Sequence, residues 1–418
     1  MTSDPDNRPP GLLARRFPAL RHSDFRYLWL GQIVSVAGSQ MQNVAINWQV
    51  YQVTHSAKML GLIGLFRVIP IVIFSLFGGV VADVYNRRKI LFFTQSVMML
   101  SAIGLALSAG LGNTSTWVVL MLTAVTAAAG AFDGPARQSL IPNLVPPEDL
   151  TNAISLNTMM FQASMIIGPA LSGLVIAAYG VNAVYWINAA TFLAVIGALV
   201  LMRAQEHRET STTKVDFASL VEGLRFVRHS PMILSTMLLD FFATFFSSAT
   251  ALLPIFAQDI LHVGARGLGI LYAAESVGSL AAGFGMSLFG EIRRKGRLLL
   301  GSVAAYGAAT AIYAFSHNFY LSLLLLGLVG IGDSISTVLR VTIRQRETPD
   351  YIRGRMTAVN MIFFMGGPQL GNLEAGLLAG WIGGATGAIV SVATGGVATI
   401  IFVGLTAWLY PQLRKYNE

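Results

Sequence analysis

Cysteine is absent from the 418 residues, which removes disulfides, thiolate metal sites and thiol nucleophiles at once. Histidine is scarce, and His22, His55, His207, His229, His262 and His317 are too far apart to pair on one helical face. A His-pair metal site therefore has no support. None of the five lysines (58, 89, 214, 295, 415) follows a glycine, so the Gly-Lys-Ser/Thr cradle for nucleotide phosphates is missing. No Gly-x-Ser-x-Gly nucleophile elbow occurs either. Enzyme chemistry, metals and cofactors are thus not expected. Charge is also thin, at 11% of residues against roughly 25% in soluble domains.

What fills the chain instead is apolar sequence, 54% of it, arranged in long runs. About 20 such residues cross a bilayer core of about 30 Å, and the runs divide the chain into twelve spans. The expectation is an all-α polytopic membrane protein. The net charge of +8 could suggest nucleic acid, but its placement argues against that. Of the 28 basic residues, all except Lys58, Arg67 and Arg266 fall in the tails and loops of one face. The positive-inside rule puts that face, and both termini, in the cytoplasm. Residues 1–24 read as a disordered basic tail without the apolar core of a signal peptide. Residues 25–203 and 231–410 read as two six-span halves. Between them, 204–230 is a polar linker in which Phe217, Leu220, Leu224 and Val227 space out an amphipathic helix. Residues 411–418 form a short tail.

The stretch Gly78-Gly79-Val80-Val81-Ala82-Asp83-Val84-Tyr85-Asn86-Arg87-Arg88-Lys89 closes span 2 and opens span 3. It packs an acid, a turn and three cations into one short loop. This pattern resembles the loop between helices 2 and 3 of major facilitator superfamily transporters, with Asn86 where the family usually has Gly. Asn also tolerates the left-handed turn conformation. Gly168-Pro169-Ala170-Leu171-Ser172-Gly173 in span 5 resembles the Gly-Pro signature of the exporters in that superfamily, with Ser172 replacing a Gly. The halves echo each other. Arg137 followed by Gly168-Pro169 runs parallel to Arg340 followed by Gly367-Pro368, as expected of a duplicated fold. The resemblance covers nearly the whole chain. The segments "DGPARQSLIP", "TPDYIRGRM" and "FFMGGPQLGNLEAG" are most similar to the bacterial siderophore (enterobactin) exporter type.

Residues alone nominate the following sites. Gln40, Asn43, Asn47 and Tyr51 make one polar stripe on span 1, fit either to face a wet cavity or to bond neighbouring helices. Ionisable groups inside spans cost roughly 3 kcal/mol or more unless paired or wet, so Arg67, Asp133, Asp240, Glu275, Asp333 and Glu374 are functional candidates. Asp133 and Arg137, one turn apart, should satisfy each other. The small residues around Gly168, Pro169, Gly173, Gly367 and Pro368 allow close helix approach.

The resemblance implies further roles. Spans 1, 4, 7 and 10 would line the cavity, so Asp240 and Asp333 would project into it and carry a proton, with Glu275 a second proton site or gating group. Spans 2 and 11 would meet, letting Arg67 pair with Glu374 when the outer gate closes. Gly79 and Asp83 would lie against the inner end of span 11 near Gly354, with Arg87 and Arg88 adding salt bridges to that gate. The function these features imply is secondary, proton-driven export of a siderophore or amphipathic drug-like molecule by a monomer in the bacterial inner membrane. Import, lipid transport or a non-transporting sensor on the same fold remain alternatives.

Overall fold

A computed structural model of the chain describes residues 17–112, 115–202, 217–247, 249–288 and 294–417. Regular structure among these residues is helical throughout. The helices are α1 (Ser23–Thr54), α2 (Ala57–Val84), α3 (Arg87–Gly110) and α4 (Thr116–Leu140). Leu150–Leu201 breaks at Gly180 (φ 78°) into α5 (150–179) and α6 (181–201). Then come α7 (Phe217–His229), α8 (Pro231–Phe246), α9 (Gly264–Leu288), α10 (Lys295–Ala314), α11 (Phe319–Glu347), α12 (Arg353–Ile382), α13 (Gly384–Leu409) and α14 (Pro411–Lys415). By length and hydropathy together, eight helices among the described residues can cross a membrane, the joined α5–α6 being one of them. Spans 1 to 6 correspond to α1–α6 and spans 7 to 12 to α8–α13.

Local chemistry sets the ends. α1 stops where His55 takes the left-handed conformation (φ 46°) and its N–H bonds back to Tyr51 O. Asn86 is not left-handed, contrary to its expected role as a turn residue. Its φ is −60°, and its side chain caps α3 by accepting from Lys89 N–H at 3.0 Å, the job Asn does well before a helix. Asn318 caps α11 in the same way, through Leu321 N–H. Span 7 departs from the expected single helix. Past α8 it continues through tight turns over Ala249–Leu252 and a wide π turn over Phe256–Ile260. The carbonyl freed at the break, Ser247 O, accepts from Tyr306 Oη (3.3 Å), and Ser247 Oγ bonds Thr399 Oγ1 (2.7 Å). A backbone group left bare inside a membrane protein needs that compensation.

Packing follows the duplicated order. α1 lies on α5 and α6, α2 on α4, and α3 on α4 and α6; in the second half α8 and α13 flank α12, and α11 packs on α9 and α10. The two Gly-Pro sites repeat one device. Gly168 sits against Ala37 O and Gln40 Cβ of α1, and Gly367 sits against Thr244 Oγ1 of α8. Each lets the fifth helix of a half close onto its first. Ser172 keeps this contact despite its size by donating to Met41 O (2.8 Å).

Two expectations change at the periphery. The end of the N-terminal segment is ordered on α5, because Ala19 N–H donates to Asn152 Oδ1 (3.2 Å) and His22 Nε2 lies 2.7 Å from Asp149 Oδ2. Residues 1–16 and 203–216 lie outside the described residues, as do the side chains of Phe217 and Leu220. α7 presents Val227 to a cluster with Ile233, Met237, Met356 and Val359, while Leu224 points outward. Glu222 pairs with Arg355 at 2.6 Å, so α7 rides on the start of α12.

Candidate functional site

The halves meet along two seams, α2 against α12 and α5 against α9. Glycine makes both possible. A Cβ on Gly376 would come within 2.4 Å of Gly61 Cα, and one on Gly64 within 2.4 Å of Gln369 O. On the other seam, a Cβ on Gly173 would stand 2.7 Å from Ala265 O and one on Gly269 2.5 Å from Pro169 O. All these residues lie in the halves of the helices remote from the termini, so that face is sealed by backbone contact.

Polar side chains reinforce the seal. Tyr51 Oη donates to Asp259, and Asn47 donates to Tyr272 Oη (2.8 Å), which donates to Thr250 O (2.9 Å). The span 1 stripe therefore splits. Asn47 and Tyr51 latch the two halves together. Gln40 and Asn43 stay within the first half, where Asn43 donates to Gln40 Oε1 and accepts from Arg67 Nη2 at 3.0 Å.

Arg67 does not meet Glu374. The helices are antiparallel, with Gly61 opposite Gly376 and Gly64 opposite Gln369. Arg67 thus lies level with residues 366–370, four to eight residues from Glu374, or about 6–12 Å at 1.5 Å per residue. The far face is already closed, so this arrangement leaves the expected gate pair unformed. Glu374 makes no ion pair among the described residues.

The densest charge sits in the second half. Arg344 Nη2 pairs with Asp240 Oδ2 (3.1 Å), and Arg340 Nη2 pairs with Asp240 Oδ1 (3.1 Å) and Asp333 Oδ1 (3.6 Å). Arg344 also donates to Thr236 Oγ1 and O and to Asn360 Oδ1. Asp240, Arg340 and Arg344 are 4%, 1% and 3% exposed, whereas the Asp333 side chain is 40% exposed. Asp240 does not open freely into a cavity as expected; two guanidiniums close over it. Arg340 spends one nitrogen on these carboxylates and on Thr337, leaving Nε and Nη1 without partners.

Glu275 lies on α9 where its backbone touches Gly330 of α11, one turn from Asp333. Glu275 has no ion pair or hydrogen bond among the described residues.

The first half handles the equivalent position differently. Asp133, buried, accepts from Thr94 (3.0 Å), Gln95 (2.7 Å) and Arg137. The acid and base satisfy each other locally, as their spacing suggested. Arg340, the repeat counterpart of Arg137, instead crosses to another helix. At the terminus-bearing face, Arg87 donates to Ser139 O and Arg88 to Val200 O. Those carbonyls close α4 and α6, where cations complement the helix dipole. For Arg88 this replaces the expected gate salt bridge. Gly79 and Asp83 fall at positions whose side chains lie outside those described.

Arg340 and Arg344 were not nominated as site residues from sequence; both counted as loop cations, and Arg340 otherwise only as a marker of the repeat. The run Asp333, Thr337, Arg340, Arg344 at spacings of four, three and four carries the signal that they share a helical face with an acid. Asp259 and Tyr272 left no comparable trace.

The family described as transmembrane secretion effector matches residues 14–418. Enterobactin exporters EntS of Salmonella typhi and Citrobacter koseri are 26% identical to this chain over 398 and 404 residues, covering 95% of it and 94% of theirs. Among solved structures, a bacterial homologue of the human lysosomal transporter Spinster, inward-facing and unoccupied, superposes with a TM-score of 0.71 at 15% identity. That match covers 94% of this chain and 97% of the other. Nucleoside transporter NupG gives 0.67 at 14% identity, covering 94% and 100%. These structures share the major facilitator fold. The chain belongs to the transmembrane secretion effector family of the major facilitator superfamily and is a multi-pass membrane transporter, not an enzyme.

Proposed function

We propose that this transporter exports a siderophore or another amphipathic small molecule across the bacterial inner membrane in exchange for protons, by alternating access. The family and the likeness to enterobactin exporters support the outward direction. The crowding of basic residues on the terminus-bearing face supports cytoplasmic termini. In that orientation the sealed seams lie on the outer side, and the site between the halves is reached from the cytoplasm.

One observation carries the proton coupling. Two carboxyls (Asp240 and Asp333) pair with two guanidiniums (Arg340 and Arg344), and a third, Glu275, sits against Gly330, one turn from Asp333. In a membrane interior an unmatched charge is costly, so the group is neutral with one proton bound. Asp240 is held by both arginines at 3.1 Å. Glu275, without a counterion, is the natural proton carrier, with Asp333 as its exposed exchange partner. The Arg67–Asn43 pair offers donors to substrate oxygens. Proton arrival at Glu275 would free the Asp333–Arg340 contact to rearrange, and substrate release would return it.

Purified protein in liposomes loaded with a pH-sensitive dye tests this. Siderophores and lipophilic acids and bases are screened for substrate-triggered proton movement, which Glu275→Gln should abolish while uncoupled substrate exchange persists. Full coupling in Glu275→Gln and loss in Asp333→Asn would move the proton to Asp333. Substrate movement without proton flux at any pH would refute antiport.

A further inference from the structure

At the terminus-bearing face the last residues fold back onto the start of α10. Gly296 N–H donates to Tyr416 O (3.1 Å), and a Cβ on Gly296 would stand 1.7 Å from Leu413 O, so only glycine admits the approach. Leu413 is buried beneath this contact. Beside this docking lies a shallow, open pocket of about 420 Å³ lined by Arg297, Leu300, Arg414 and Lys415. Three cations thus converge over one buried leucine. Among the described residues no carboxylate lines the pocket, and none of the three cations makes an ion pair or side-chain hydrogen bond. Like charges held together repel, and transport through the distant central site makes no use of them.

The surroundings point to what neutralises them. Down α13 from this corner, Ile401, Leu405 and Trp408 follow at helical spacing and are all exposed, Trp408 by 76%. An exposed tryptophan at a span end marks the level of the lipid headgroups. The strip lies on the exposed face of the helix whose end turns into α14, so the chains of a lipid held at the corner would have apolar surface nearby. We propose that this corner is a specific site for an anionic phospholipid. Its phosphate would be held by Arg297, Arg414 and Lys415, with its chains along α13. A free phosphate would satisfy the charge but leave the apolar strip unused. The bound lipid would pin α14 onto α10 and stiffen the terminal face of the second half. Basic pockets between membrane helices on this side suit such headgroups.

Native mass spectrometry of the delipidated full chain supplies the test, with dioleoylphosphatidylglycerol, dioleoylphosphatidylcholine and inorganic phosphate as separate probes. Phosphatidylglycerol should bind in preference to phosphatidylcholine. Its affinity should fall about fivefold for each of Arg297→Gln, Arg414→Gln and Lys415→Gln taken singly, and about a hundredfold in the triple variant. Arg414→Lys should retain most of the binding. Arg225→Gln/Arg228→Gln, on α7 away from the pocket, should leave it unchanged. Equal binding of the two lipids would overturn the proposal, as would an equal loss in the α7 control. Displacement of phosphatidylglycerol by millimolar inorganic phosphate would reduce the corner to a free-anion site and overturn it too.

Discussion

Replacing Gly173 by leucine should hold the far face open, and the size of the effect can be worked from the seam. Carbon atoms make their best contacts at about 3.5–4.0 Å. Even a lone Cβ at Gly173 would stand 2.7 Å from Ala265 O and 3.0 Å from Gly269 Cα and N. The helices would have to part by about 1 Å for alanine and further for leucine. Overpacking a close contact costs about 1–3 kcal/mol. The cost falls only on the conformation in which α5 and α9 touch, so the open state should gain about 5- to 150-fold in population. The lack of native cysteine makes the assay direct, since Ala57→Cys gives the protein a single thiol. Ala57 is 7% exposed, and its carbonyl lies under Gly376 on the other seam. Labelling by a membrane-impermeant maleimide therefore reports opening at a point remote from the mutation. Gly197→Leu serves as control, because a Cβ there meets nothing within 4 Å. Gly173→Leu should label at least fivefold faster than the control. Equal rates in two folded proteins would refute the idea that backbone contact at the glycine seams holds the face shut.

Other consequences are smaller or more local. Tyr272→Phe removes the partner of Asn47 from the latch; an interhelical hydrogen bond in a membrane averages about 0.6 kcal/mol, so Ala57→Cys labelling should rise only about threefold. Asp240→Asn leaves two buried guanidiniums short of charge and should destabilise by about 3–5 kcal/mol, read as a fall in Tm in detergent. Asp240→Asn/Arg344→Gln together should cost less than the sum of the single changes. Gly223→Val puts a Cβ about as close to Arg355 O as the 2.9 Å already measured for a lone methyl; it should dislodge α7 from α12 and expose the linker to limited proteolysis. Glu222→Gln, by contrast, removes a half-exposed pair and should change stability by less than about 1 kcal/mol.

The fold was legible because membrane physics writes it in one dimension. Span limits, connector positions and the duplicated Arg-to-Gly-Pro interval follow from hydropathy, loop charge and small-residue patches along the chain. The site was only half legible. Asp240, Asp333 and Glu275 announced themselves as charges in apolar runs, but what they touch depends on how far α11 extends. It runs to Glu347, deep enough to turn Arg340 and Arg344 from loop cations into core partners. The Arg67–Glu374 expectation failed on register. The resemblance implied the two seam helices and the sequence supplied their opposite charges, while the sliding position of one helix on the other is set by which glycines touch. The polar stripe of span 1 could not reveal that Asn47 and Tyr51 find partners across the seam, because Tyr272 and Asp259 lie more than 200 positions away in the chain.

The glycine corners have a mechanical consequence. α5 passes to α6 through Gly180, and α12 passes to α13 through Gly383 and Gly384, all at positive φ. Neither connection has slack, so in the proposed alternating access each pair of helices would move as one hairpin hinged near the far face. α12 has 30 residues, a lever of about 45 Å at 1.5 Å per residue. A tilt of about 10° at such a hinge would sweep the opposite end through about 8 Å. Motion too slight to disturb the corner itself would thereby be geared up into a passage wide enough for a small molecule.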